Sequence, residues 1–110
     1  MRFQQVNFSQ IAVCIFAFVI MGSSSFASAE RSGDKIFNTY CIACHMSGVA
    51  GAPIFGNKAD WQPHIEKGME TLLTNVNNGI SAMPPKGMCF DCSNDEMKNT
   101  IQYIIDNSQD

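Results

Sequence analysis

Only two histidines occur in the sequence, His45 and His64, and positive charge is scarce, with seven Lys and Arg against ten Asp and Glu. That balance argues against nucleic acid and anionic membrane surfaces as partners and weakly favours a basic one. The apolar run Ile11 to Met21 (IAVCIFAFVIM) stops at eleven residues, whereas a bilayer span needs about 20. Beyond Ala29 there is no internal repeat, no low-complexity tract and no convincing strand pattern. Repeat architectures and sheet-based folds therefore drop out, and a small helical chain is left.

The stretch from Met1 to Ala29 does not read as part of that fold. Arg2 is the only charged side chain before the apolar run, and the run leads into GSSSFASA, ending in Ala27-Ser28-Ala29. A basic tip, a short apolar stretch and a small-x-small site form a secretory signal peptide, with an uncleaved membrane anchor as the rival reading. Cys14 lies inside the run and goes with it. Cleavage after Ala29 leaves one domain, 30 to 110, with six basic and ten acidic side chains and a net charge of −4. A chain of that size buries only about 60% of its unfolded surface and needs staples. Its four remaining cysteines stand in an export context where disulfides persist.

Helical spacing is clear in three places. Ser32 is placed to cap a helix over about 33 to 44, with Phe37, Tyr40, Cys41 and Cys44 on one face. Residues 47 to 58 (SGVAGAPIFGNK) read as loop, and a short helix starts near Asp60. Met69, Leu72, Leu73 and Val76 form a second apolar face, ended by Gly79 as a left-handed cap. Residues 79 to 92 (GISAMPPKGMCFDC) make a long loop, which in so small a domain points to function. Ser93-Asn94-Asp95-Glu96 is a capping box for a last helix with Met97, Ile101, Ile104 and Ile105 on its face. The expected fold class is all-α, four or so short helices.

The stretch YCIACHMSG, residues 40 to 48, carries the chemistry. On a helix, Cys41 and Cys44 lie one turn apart with His45 one position further round. Two thiols so placed can form thioethers with the two vinyl groups of a haem while the imidazole ligates its iron, and C-x-x-C-H is the attachment signature of haem c. A zinc site would need Cys89 and Cys92 as further ligands. A thioredoxin-like pair would need a βαβ context that is absent, and a plain disulfide would leave His45 without a purpose.

With His45 proximal, a methionine on the other face would raise the reduction potential and suit electron transfer. Met46 adjoins His45, and Met69 and Met97 sit on apolar helix faces as core. Met83 precedes Pro84 and Pro85 in the long loop, where the prolines stiffen its backbone. Met88 is the second candidate in the same loop.

The segments CIACHMSGVAGAPIFGNK, GISAMPPKGMCFDCS and TIQYI, from Gly33 to about Ile105, resemble a class I c-type cytochrome of the cytochrome c5 type. The resemblance implies the small cytochrome c fold around one covalently bound haem c, with Met83 as distal ligand. It implies that Gly33 and Phe37 pack near Tyr103, and that the Pro53 carbonyl accepts a hydrogen bond from His45. Asn57 stands where the pattern often has aspartate, and His64 where a basic residue is common; both departures bear on haem propionate contacts.

Cys89 and Cys92 are followed by Ser93 rather than histidine, so a second haem is not expected. In an oxidising compartment they should form a disulfide at the start of the last helix, as the resemblance also implies, with a redox-active pair as the alternative. Trp61 is either core or a donor to a haem propionate, and His64 is a surface or propionate-side residue rather than a ligand. The functional expectation is a soluble periplasmic carrier of one electron, not an enzyme. It would make small, transient contacts with donor and acceptor proteins, and Gly51, Ala52, Pro53 and Ile54 are candidates for part of an apolar docking rim. Two alternatives remain: a haem enzyme or gas or peroxide sensor with an open distal site, and the cytochrome subunit of a larger oxidoreductase.

Overall fold

The computed structural model describes residues 29 to 109, so the expected signal segment, 1 to 29, lies almost wholly outside the described residues. Helix α1 spans residues 33 to 45 as an α-helical turn Gly33–Ile36, a π-helical stretch Phe37–Cys41 and a second α turn Ile42–His45. Helix α2 is Lys58–Ile65, α3 is Met69–Asn78 and α4 is Asn94–Ser108. Short 3-10 turns lie at Val49–Gly51 and Pro85–Met88. Among the described residues the sole strand-like pairing is an isolated bridge between Ile80 and Met83. The all-α expectation holds.

Helices α1 and α4 cross at Gly33. A Cβ on that residue would overlap the Asn99 carbonyl and reach within 3.0 Å of the Thr100 nitrogen. The close approach sets Phe37 edge-on to Tyr103, ring centroids 5.7 Å apart, as the family resemblance implies. Phe55 completes the cluster, 4.6 Å from Phe37 and 5.3 Å from Tyr103. One core group joins Phe37, Cys41, Trp61 and Ile104. The other joins Ile36, Leu72, Leu73, Cys89, Cys92, Met97 and Ile101.

Several local expectations are corrected. Ser32 occupies the N-cap of α1, but its side chain accepts no capping hydrogen bond. Its hydroxyl lies close enough to the Asp34 carboxylate to hold Asp34 below the usual carboxylate range. On α1 the protein's own atoms bury Ile36, Phe37 and Cys41 and leave the Cys44 thiol open, as suits a cysteine that bonds the haem. The π-helical stretch changes the turn angle just before Cys44, a shift that strict 3.6 spacing cannot anticipate. Helix α2 begins at Lys58, two residues before Asp60, because the Asn57 side chain accepts from the Asp60 N–H and caps it. Gly79 ends α3 with φ 79° and ψ 153°, outside the left-handed helical region that was expected.

The capping box at Ser93 is present in both directions, with the Ser93 oxygen accepting from the Glu96 N–H and Glu96 accepting from the Ser93 N–H. Arg31 reaches the same carboxylate from the other end of the chain. Its backbone N–H and Nε both donate to Glu96 Oε2, at 3.0 and 2.7 Å, and its Nη2 donates to Oε1 at 3.2 Å. The charged Arg31 donor, then the Ser93 and Arg31 backbone N–H groups, pull the Glu96 pKa down to about 2.

Two outcomes follow from this packing. Replacing Gly33 with Ala is expected to cost about 1–3 kcal/mol through overpacking at the helix crossing, read as a lower midpoint in thermal unfolding. A depressed carboxylate pKa stabilises the fold fully above its unfolded value, and that stability is lost as pH falls toward the folded one. Stability should therefore decline from about pH 4.5 to pH 2, and Glu96→Gln should flatten that part of a denaturation-versus-pH curve.

Candidate haem site

The proximal side is built from α1 and the loop that follows it. His45 is 8% exposed at the end of the last α turn. Its Nδ1 lies 2.8 Å from the Pro53 carbonyl oxygen. A carbonyl can only accept, so Nδ1 carries the hydrogen and Nε2 keeps a free lone pair suited to a metal. The backbone N–H of Phe55 donates to the His45 carbonyl at 2.6 Å, so the loop and His45 are tied twice. The loop itself is held by the Asp60 carboxylate, which accepts from the Ile54 N–H at 3.1 Å.

Trp61 closes this side. It is 9% exposed, its ring lies 5.4 Å from that of His45, and its Nε1–H donates to the Ile54 carbonyl at 3.0 Å. Trp61 is thus packed in the core, with its N–H donated to the loop at Ile54. His64 stands on the other flank of the indole, ring centroids 5.9 Å apart. Burial, then Lys67 and His45, lower its pKa. It lies on α2, in the same helix as Trp61.

Cys41 and Cys44 are both free thiols. Burial, with a smaller effect of Cys44, pushes the Cys41 pKa up to about 11. The thioredoxin-like reading fails on architecture, since among the described residues there is no βαβ unit and the sole strand-like pairing is the Ile80–Met83 bridge. The zinc reading fails as well, because its other two ligands are consumed: Cys89 and Cys92 are joined as a disulfide, 0% and 2% exposed.

Met83 lies in the loop between α3 and α4. Ile80 and Met83 exchange backbone hydrogen bonds of 3.1 and 2.9 Å around a turn with Ser81 at φ 51°. Gly79 allows this hairpin to fold back on α3, since a Cβ there would stand 2.8 Å from the Met83 carbonyl oxygen and 3.1 Å from the Pro85 nitrogen. The Pro85–Met88 turn packs against both α3 and the Phe37–Cys41 stretch, so the loop is brought to the cysteine end of α1. Met83 is half-buried. The other methionines separate as their settings suggest: Met97 is buried at 2%, Met69 is packed at the core margin, and Met46 and Met88 are exposed.

An imidazole with its Nε2 free, two unpaired thiols one turn apart and a thioether on a rigid turn make a donor set that fits a haem. The residues that sequence reasoning missed are the supporting ones. Asp60, Phe55, Arg31 and Lys86 carry no motif, and only Arg31 and Glu96, as opposite charges near the two ends of the domain, offered a signal.

This all-helical fold with a C-x-x-C-H helix places the chain among the class I c-type cytochromes. It belongs to that family, and it carries one covalently bound haem c. A family model described as cytochrome c oxidase, cbb3-type, subunit III matches residues 28–104. Within the family the chain is similar to cytochrome c5 of Ectopseudomonas mendocina, 43% identical over 84 residues, covering 74% of this chain and 97% of that protein. Cytochrome c5 of Azotobacter vinelandii is 45% identical over 73 residues, 64% of this chain and 88% of that one. Among solved structures, a chain of the electron transfer complex of nitrite reductase with cytochrome c superimposes with TM-score 0.69 at 33% identity, covering 74% of this chain and all of that one. A mono-haem ferrocytochrome c from Shewanella putrefaciens gives 0.63 at 42% identity, covering 70% and 95%. The chain is accordingly a small electron-transfer cytochrome.

The dependence of the Met83 hairpin on Gly79 is open to test. Gly79→Ala combines a disfavoured φ with a backbone collision and is expected to cost at least about 2 kcal/mol, measured by denaturant unfolding of the haem-loaded protein.

Proposed function

We propose that this cytochrome is a periplasmic carrier of single electrons, exported with cleavage after Ala29, whose haem iron is held by His45 Nε2 and Met83 Sδ. Cys41 and Cys44 supply the thioether bonds. The observation that carries the reading is the His45–Pro53 hydrogen bond, which fixes the tautomer a metal ligand requires and sets the ring orientation. The haem supplies a one-electron ferric–ferrous couple; the chain's residues hold it, screen it and set its potential. Met83 supplies a weak, neutral sulfur ligand that favours the reduced state. Burial of His45 and Trp61 keeps water from the proximal face.

Donor and acceptor proteins would dock briefly, through contacts below about 1,200 Å² in total. The neighbour crystallised in complex with nitrite reductase supports this mode of use. In the segment from Cys41 to Asn57 there is no charged side chain, so docking through Gly51 to Ile54 would be governed by shape and apolar contact.

The family description favours one second reading, in which the chain is the cytochrome subunit of a larger oxidoreductase. Copurification with a partner that dissolves at raised salt would distinguish a subunit from a free carrier.

Met83→Ala tests the ligand assignment. The reduction potential should fall by on the order of 0.1 V or more, and the reduced iron should bind carbon monoxide. A native potential and a closed iron in that variant would remove Met83 from the axial position.

A further inference from the structure

We propose that Lys86 is a positioning residue for Met83, holding its thioether in place through a hydrogen bond to the Cys92 carbonyl. The proposal rests on the reading of Met83 as distal iron ligand. After the Ile80–Met83 hairpin the chain runs through three further turns, each closed by one backbone hydrogen bond. These are Gly87 N–H to the Pro84 carbonyl, Cys89 N–H to the Lys86 carbonyl and Cys92 N–H to the Cys89 carbonyl, at 3.1, 3.0 and 3.0 Å. Within them Lys86, Gly87 and Met88 all have positive φ, at 55°, 55° and 74°. Lysine and methionine rarely adopt that conformation, so the run persists only where its surroundings enforce it.

The enforcement is visible. Lys86 Nζ donates to the Cys92 carbonyl at 2.7 Å, and Lys86 is half-buried. Cys92 precedes the Ser93 N-cap, so its carbonyl lies outside the α4 ladder, and among the described hydrogen bonds Lys86 is its donor. This acceptor does not move easily. Cys92 is bonded to Cys89 in the core, next to the capping box of α4. Arg31 grips Glu96 and lies 3.6 and 3.9 Å from the two sulfurs. The ammonium thus ties a strained run to the most fixed point of the loop.

Met83 rests on that run. Its methyl carbon lies 3.6 Å from where a Cβ of Gly87 would stand. Relaxation of residues 86 to 88 would shift the support under the thioether and the proline pair that follows it. Pro84 and Pro85 are stiff, so the shift passes to Met83 rather than being absorbed.

The test uses haem-loaded Lys86→Gly and Lys86→Arg, with Met83→Ala as the reference for an open iron. Glycine accepts the positive φ at this position without strain and removes the amine; arginine keeps a cationic donor. In Lys86→Gly, amide exchange at Met83 and Cys89 should accelerate about tenfold or more, the worth of one hydrogen bond from a charged donor. Carbon monoxide binding to the reduced form should rise in parallel, and Lys86→Arg should return both toward native. Faster exchange with carbon monoxide still excluded would make Lys86 structural only and overturn the proposal, as would no change in either. A closed Lys86→Gly beside an open Met83→Ala removes the positioning role alone. A closed Met83→Ala removes the ligand reading and the proposal with it.

Discussion

Helices α1 and α4 cross where neither leaves room for a methyl group, and the functional side chains take their places from that crossing. Gly33 lies directly on the Asn99–Thr100 backbone. Because the backbones touch there, Phe37 reaches Tyr103 one turn further along, and Arg31, two residues earlier, reaches Glu96. The same geometry sets Ile36 in one core group, with the disulfide, and Cys41 in the other, with Trp61. A wider separation would loosen both groups together. A domain this small has no third layer to compensate.

Two loops then complete the site, and each is fastened at its own end. The proximal loop is tied to His45 through both the ring and the backbone carbonyl, and to α2 through Asp60 and Trp61. The distal loop is a chain of tight turns ending in the buried Cys89–Cys92 disulfide and the capped start of α4. The thin apolar core does not have to position ligands by packing alone. Hydrogen bonds to fixed carbonyls and one short covalent ring do that locally, and the covalent haem would add a large apolar body for the chain to pack around.

Much of this was legible in the sequence, and the reasons differ by element. The faces of α3 and α4 follow regular 3.6 spacing, and their predicted residues are those that pack. The Ser93 capping box was readable because its two partners are three residues apart. The C-x-x-C-H motif identifies its cofactor because thioether chemistry fixes the spacing. By contrast, no periodic template contains the π-helical stretch in α1. Ser32 stands at the N-cap of α1 without capping it, which residue type alone cannot decide. Trp61 was left between two partners, and the Ile54 carbonyl, brought close only by the folded loop, is the one it bonds. The supports at Lys86 and Arg31 depend on chain segments meeting in space, so no local pattern announces them.

The central claim is a closed iron, ligated by His45 and Met83, that exchanges electrons without binding substrate. It is tested most directly by the visible spectrum of the haem-loaded protein, oxidised and reduced, with and without carbon monoxide. The account predicts a six-coordinate, low-spin c-type spectrum that carbon monoxide leaves unchanged. Carbon monoxide binding to the reduced native protein would contradict it and move a ligand-binding enzyme or sensor ahead of the electron carrier.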